Sequence, residues 1–156
     1  MSSIVFVFLI GCSSLNTREV SYKGTPLVNH KGYEFSMTDH SGRNITPSSP
    51  RGGVKILTFL FTSCTNVCPI ITSNIKNAVL QVNKPDLIQV IIITVDPDRD
   101  TSDAVDDYIQ KWKLPSNWQF LTGTEKELSP IWKAYFINPQ TSLLNSGAGP
   151  ESVKGL

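Results

Sequence analysis

A chain of 156 residues with 40% hydrophobic and 9% aromatic side chains is long and apolar enough to bury the core of one domain, which excludes global disorder. Fourteen Lys and Arg against thirteen Asp and Glu leave a formal charge of +1, so neither the basic footprint of a nucleic-acid binder nor the acidic run of a solvating tail is present. No apolar run approaches the roughly 18 residues of a spanning helix, which excludes a polytopic helical membrane protein.

Ile4 to Ile10 is an unbroken apolar run of seven residues, too short to cross a bilayer but of the length of a signal-peptide apolar region. It ends in Leu9-Ile10-Gly11-Cys12, an order that resembles a bacterial lipobox, in which Cys12 would be lipidated and become the mature N-terminus. On this reading residues 1–12 are a lipoprotein-type signal peptide, residues 13–25 a tether and residues 26–156 the folded domain. The polar stretch Ser13 to Asn16 favours a tether over a short buried strand. Several acyl chains on one Cys anchor stably where a single chain is marginal. The domain is then expected in the cell envelope, membrane-anchored on the extracytoplasmic side, where conditions are oxidising.

Short extended segments are expected around Leu27-Val28 and from Tyr33 to Met37, and Asp39-His40-Ser41-Gly42-Arg43 has the composition of a hairpin turn. After a Pro-, Ser- and Gly-rich loop from Pro47 to Gly53, Val54 to Phe61 is nearly continuous in apolar and β-branched residues, the pattern of a strand buried on both faces. From Pro69 the period changes: Ile71, Ile75, Ala78, Val79 and Val82 form one helical stripe. Leu87 to Val95 reads as a second buried strand, ended by Asp96-Pro97. Thr101 opens a helix with Asp103, Asp106 and Asp107 near its positive end and Val105, Tyr108, Ile109 and Trp112 on its apolar face. Trp118 to Leu121 is a candidate third strand. Thr124-x-x-Glu127 is a capping box before Leu128, Ile131, Trp132 and Tyr135. Strands alternating with helices predict a parallel α/β core with Val54–Phe61 and Leu87–Thr94 as its adjacent middle strands.

Besides Cys12, the only cysteines are Cys64 and Cys68, between the first long strand and the first helix. Amides at a helix N-terminus stabilise anions and favour thiolate, and the ends of parallel strands are where α/β folds place ligands. The spacing lets both sulfurs meet on one side of a helical turn. They could close a structural or redox disulfide, or chelate one soft metal, for which thiolates select Cu(I). Two thiolates make a poor structural zinc site, which wants four ligands.

These residues carry a resemblance. Phe59-Leu60-Phe61-Thr62-Ser63-Cys64-Thr65-Asn66-Val67-Cys68-Pro69, Val95-Asp96-Pro97-Asp98-Arg99-Asp100-Thr101 and Leu121-Thr122-Gly123-Thr124 are similar to the F-x-F-T-x-C-x-x-x-C-P, V-D-P-x-R-D-T and L-T-G-T segments of the SCO (SenC) copper-delivery proteins of cytochrome c oxidase assembly. Asp39-His40-Ser41-Gly42 fits that family's D-x-x-G turn. The match runs from about Tyr33 to Ile137, with the motifs in order. It implies a thioredoxin-like fold with an N-terminal β-hairpin extension. It also implies Cys64 and Cys68 as thiolate copper ligands and redox-active pair, and Asp96 near them in a supporting role. The implied cargo is copper, and the implied partner is the oxidase subunit carrying the copper A centre. The family supplies a third ligand, a His in an Asp-His pair on a later loop. This chain has only His30 and His40, both before the cysteines, and its last residues show no strand pattern, so C-terminal truncation is expected; His40 is a remote substitute. The leading function is a metallochaperone rather than an enzyme. The alternatives are a thiol–disulfide oxidoreductase acting on partner cysteines, against which the CxxxC spacing counts, and, last, a peroxiredoxin-like peroxidase with Cys64 as nucleophile.

Overall fold

The structure, a computed structural model, describes residues 23–27, 31–47 and 53–139. The expected leader with Cys12, most of the tether, Val28, His30 and the tail beyond Pro139 lie outside them. The chain divides into two compact units, Met1–Lys31 and Gly32–Leu156. In the first, the described residues form no strand, and Leu27, expected to be extended and apolar, is exposed.

The second unit carries the fold. Strands β1 (Met37–Thr38) and β2 (Asn44–Ile45) pair antiparallel as a short hairpin; the expected strand from Tyr33 narrows to the two residues nearest the turn. Then come β3 (Val54–Leu60), α1 (Val67–Leu80), a 3-10 turn at Pro85–Leu87, β4 (Ile88–Thr94), α2 (Ser102–Trp112), β5 (Gln119–Leu121) and α3 (Glu125–Ala134). β3 and β5 both run parallel to β4, in the order β3-β4-β5. The α/β class and the parallel pairing of the two long strands are as the hydrophobic pattern predicts.

One expectation is corrected. Only β4 is a middle strand among the described residues; β3 lies at an edge. Accordingly Val54 is 58% exposed and within β3 only Leu60 is buried. An apolar run reads the same whether its neighbours sit on two sides or one, so periodicity could not separate the two strands.

β4 organises the core. Val90 and Ile92 face a cluster with Cys68 and Val79 of α1, Val105 and Tyr108 of α2, and Trp118 and Phe120. Ile91 and Ile93 face a second cluster with Met37, Ile45, Leu121 and Leu128, Ile131 and Trp132 of α3. The sheet thus has α1 and α2 on one face, and α3 and the hairpin on the other. Each of those four β4 side chains is at most 1% exposed, and each contributes at most roughly 2 kcal/mol of burial free energy.

Sequence chemistry sets the connections. The Asp39 carboxylate accepts from the Ser41 amide (3.0 Å) and hydroxyl (2.7 Å), the Arg43 amide (2.9 Å) and the Arg43 guanidinium (2.8 Å). Burial raises its pKa, but these bonds outweigh burial and leave it below the usual range. Gly42 supplies the left-handed residue of the turn at φ 83°. His40 donates its amide to Phe120 O at 3.1 Å, which ties the hairpin to β5. Gly123 permits a close approach: a Cβ there would meet the Met37 side chain at 3.0 Å and Glu127 at 3.1 Å. The Thr124–Glu127 capping box forms as expected.

Candidate metal and thiol site

β3 delivers the chain to its carboxyl end, where Phe61 to Asn66 turn into α1. The helix starts at Val67, two residues before the stripe predicts, because Pro is tolerated in a first turn where its missing N–H is not needed. Cys68 therefore lies inside the helix. Its buried neighbours on α1 are Thr72 and Val79, with Ile75 partly buried, whereas Ala78 and Val82 of the expected stripe are exposed. A polar Thr holds a core position because its hydroxyl shares a 2.7 Å hydrogen bond with the Tyr108 hydroxyl, which satisfies both groups.

The N-terminus of α1 has no side-chain cap: Asn66 stands at the cap position without such a bond, and the first turn holds no acidic residue. Cys64 takes that place. Its Sγ accepts the Cys68 amide at 3.3 Å. Burial raises the Cys64 thiol, but hydrogen bonds from the Cys68 side chain and from the amides of Cys68, Asn66 and Val67 outweigh burial and lower its pKa. Cys68 is the opposite case. It is 3% exposed and pushed up to about 12, first by burial, then by its bond to Cys64 and the charges of Cys64 and Asp100. Both thiols are free. Only Cys64 reaches the adjoining cleft of about 430 Å³, whose walls are Thr62, Ser63, Thr65, Pro69, Lys111 and Trp112. Val67 and Ile70, in the first turn of α1, are exposed.

Beneath the thiols lies a carboxylate that sequence reasoning missed. Asp100 is fully buried. Its Oδ1 accepts the Thr62 amide (2.9 Å) and hydroxyl (2.6 Å), its Oδ2 accepts the Thr94 hydroxyl (2.6 Å), and its carbonyl accepts the Thr122 hydroxyl (2.8 Å). One residue thus ties together the segments that leave β3, β4 and β5. Burial, helped by the Asp96 charge, raises the Asp100 carboxyl despite the bonds from Thr62 and Thr94. The signal was a third acidic residue, four after Asp96, in the turn that follows a largely apolar strand. Asp96 itself is 3% exposed and pairs with Arg99, whose guanidinium lies 6.0 Å from the centre of the Phe61 ring. Its carbonyl accepts the amides of Arg99 and Asp100. Asp96 therefore shapes the turn that presents Asp100, whose charge helps to hold the Cys68 thiol up.

His40 does not join the thiols. Its Nε2 lies 3.7 Å from Asp106 Oδ1, and among the described residues no three His, Cys, Asp or Glu side chains gather as a metal-holding group.

With two thiols at the end of a parallel strand and the Asp96–Asp100 turn beside them, the comparison with known proteins is decisive. The SCO1/SenC family model matches residues 23–152. The chain belongs to the SCO1/SenC family. It is 33% identical over 120 residues to the human mitochondrial protein SCO1 homolog, covering 73% of this chain and 37% of that one. It is 35% identical over 102 residues to a SCO2-like protein of Rickettsia prowazekii, covering 64% and 48%. The SCO1/SenC family lipoprotein of Bacillus anthracis superimposes with a TM-score of 0.59 at 29% identity, covering 69% of this chain and 66% of that one. The copper-bound ScoI of Bradyrhizobium japonicum does so with 0.59 at 27%, covering 67% and 66%. The thioredoxin-like SCO fold implied by the motifs is thus borne out. The chain spans 37% to 48% of the length of those two sequence relatives.

Proposed function

We propose that this SCO1/SenC chain is a metallochaperone that holds Cu(I) between Cys64 and Cys68 and passes it to the copper A subunit of cytochrome c oxidase during assembly. The observation that carries the reading is the pair of free thiols at the start of α1, Cys64 in the loop before it and open to a cleft, Cys68 in its first turn and buried. The copper-bound ScoI of Bradyrhizobium japonicum, alike in fold, supports it. Cu(I) accepts low coordination and prefers soft sulfur, so two thiolates suffice for it. Cys64, whose thiol is the lowered one of the pair, offers the first sulfur, and the metal displaces the proton that Cys68 otherwise keeps. Asp96 supports the site through Arg99 and the Asp100 turn. The reduced chain is expected to take up one Cu(I), and Cys64→Ser or Cys68→Ser to take up none, by copper titration. Unchanged stoichiometry in either variant removes the pair from the mechanism.

A second reading, a thiol–disulfide oxidoreductase, draws on the unequal thiols. The Cys64 thiolate would attack a partner disulfide, breaking its S–S bond and releasing one partner thiolate. Cys68, giving up its proton, would then attack Cys64 in the mixed disulfide, leaving a Cys64–Cys68 disulfide and a reduced partner. Uptake of one Cu(I) with no reduction of a disulfide-bonded peptide favours the chaperone; the reverse pattern favours the reductase. Either role is placed at the envelope membrane by lipidated Cys12. Cys12→Ala is expected to release the protein from membranes or block its processing, and an unmodified Cys12 on soluble protein by mass spectrometry refutes the anchor.

A further inference from the structure

The cleft beside Cys64, of about 430 Å³, carries a charge of one sign. Among the described residues, Lys111 is the one Lys, Arg, His, Asp or Glu in its wall, and it is exposed. The carboxylates of α2 leave its ammonium uncompensated. Asp106 faces His40 at 3.7 Å, and among the described residues Asp107, one turn before Lys111, lies outside ion-pair distance of it. Asp100 is already taken by Thr62 and Thr94.

Two further features act in the same direction. The Lys111 ammonium lies 5.8 Å from the centre of the Trp112 ring, which attracts a cation. That ring leans on the Tyr108 ring at 6.2 Å. The carbonyls of Trp112 and Lys113 accept the Lys76 ammonium at 3.1 and 2.9 Å, so a second cation sits by Trp112 on two neutral acceptors. At the other wall, Pro69 belongs to the first turn of α1, which has no acidic residue and no side-chain cap. The unspent amides of that turn add the positive end of a helix to the field of the lysines.

We infer that this cleft receives a small disulfide bearing a carboxylate close to its sulfurs, the carboxylate held by Lys111, the sulfurs against the Trp112 ring and one of them facing Cys64. The inference rests on the thiol–disulfide reading of the cysteine pair and adds the class of substrate to it. At liquid density the cleft takes roughly fourteen non-hydrogen atoms, which is the scale of a small-molecule site. Sulfur packs favourably at an aromatic edge. In the step, the Cys64 thiolate attacks one sulfur of the ligand, the ligand's S–S bond breaks, and one half leaves as a thiolate beside Lys111. Cys68 gives up its proton and attacks Cys64, which releases the other half. One disulfide is reduced to a thiol and a thiolate, and the cysteine pair is oxidised.

The probes are dithiodiglycolate, which is anionic, 2-hydroxyethyl disulfide, which is neutral, and cystamine, which is cationic. Each is mixed with the full reduced chain at pH 7 and low salt, and loss of the Cys64 thiol is followed by peptide mass spectrometry after acid quenching. Ratios of rates are compared between wild type and variant, so the intrinsic reactivity of each probe cancels. The anionic-to-neutral ratio should fall about threefold in Lys111→Met and about tenfold in Lys111→Glu, and the cationic-to-neutral ratio should rise in both. The wild-type preference should collapse in about 1 M NaCl. Lys133→Glu, the same change of net charge on α3, should leave the ratios where they were. Equal ratios in wild type and Lys111→Glu overturn the inference, and so does an equal shift in Lys133→Glu, which makes the effect one of net charge. Copper titration of the same wild-type preparation keeps the two readings apart. A chain that takes up Cu(I) without the charge preference loses this site and keeps the metallochaperone; one with the preference and no copper uptake does the reverse.

Discussion

Two strand–helix junctions lie side by side at the carboxyl end of the sheet, and they spend their helix amides differently. After β4, Thr101 caps α2 with its side chain, its hydroxyl accepting the Ala104 amide, and Asp103 sits in the first turn. After β3, Asn66 makes no side-chain cap and no acid follows; the free Cys68 amide goes to the sulfur of Cys64. The first junction uses its positive end for stability. The second leaves it for an anion, and the Cys64 sulfur is placed to be that anion as a thiolate. The site therefore exists where a conventional cap is missing, and the neighbouring junction supplies the rigidity through Asp100.

The largest expected effect is the separation of the two thiols. Cys64 is lowered and Cys68 is pushed up to about 12, so at neutral pH the thiolate population lies overwhelmingly on Cys64. Brief iodoacetamide treatment of the reduced chain at pH 7, read by peptide mass spectrometry, should modify Cys64 almost exclusively. Equal labelling would break the contrast. Stability should follow the same asymmetry. An unfolded thiol ionises near pH ~8.5, whereas folded Cys68 keeps its proton to about 12. Between those values the native state holds the extra proton, so Cys68 contributes stability that is full below the unfolded value and lost as pH rises through the folded one. Cys64, being lowered, acts in the opposite sense, but its shift is the smaller. The melting temperature should therefore fall as pH rises above the ordinary thiol range.

Asp100 tests the rigidity of the second junction. Removing its carboxylate strands the Thr62 amide and the hydroxyls of Thr62 and Thr94 in a buried setting. Asp100→Ala should cost about 3 kcal/mol in urea denaturation. Asp100→Asn, which keeps an acceptor for Thr62, should cost less. If the two variants are equally stable, the hydrogen bonds are not what holds the loop.

What could be read from the sequence follows from which forces act locally. Thr101 and the Thr124–Glu127 box were legible because a cap is decided within four residues. β4 and the pairing of the two long strands were legible because apolar runs separated by a helix admit few arrangements. The edge position of β3 was not, since burial of Val54 or Ile56 depends on a neighbour elsewhere in the chain. At the site, Cys64 and Cys68 stood out by type and spacing. Asp100 did not: its importance comes from meeting Thr62, thirty-eight residues away, and Thr122, twenty-two away. Thr72 was passed over for the same reason, because its partner Tyr108 is on another helix.

The smallest expected effect bears most directly on the contrast between the junctions. The Asn66 amide, with those of Val67 and Cys68, favours the Cys64 thiolate, and the Asn66 side chain plays no capping role. A carboxylate at this position would compete for the same amides and set a negative charge beside the thiolate, both of which disfavour ionisation. Asn66→Asp should therefore slow alkylation of Cys64 at pH 7 by about tenfold, and Asn66→Lys should speed it. Global stability should move by no more than about 0.5 kcal/mol in either variant, because the position is exposed. The control is the other junction: Thr101→Ala should cost about 1 kcal/mol of stability through its lost cap while leaving the Cys64 rate unchanged. If Asn66→Asp and Asn66→Lys react alike, the helix terminus does not tune the sulfur, and the hydrogen bond from the Cys68 side chain must by itself outweigh burial and lower Cys64.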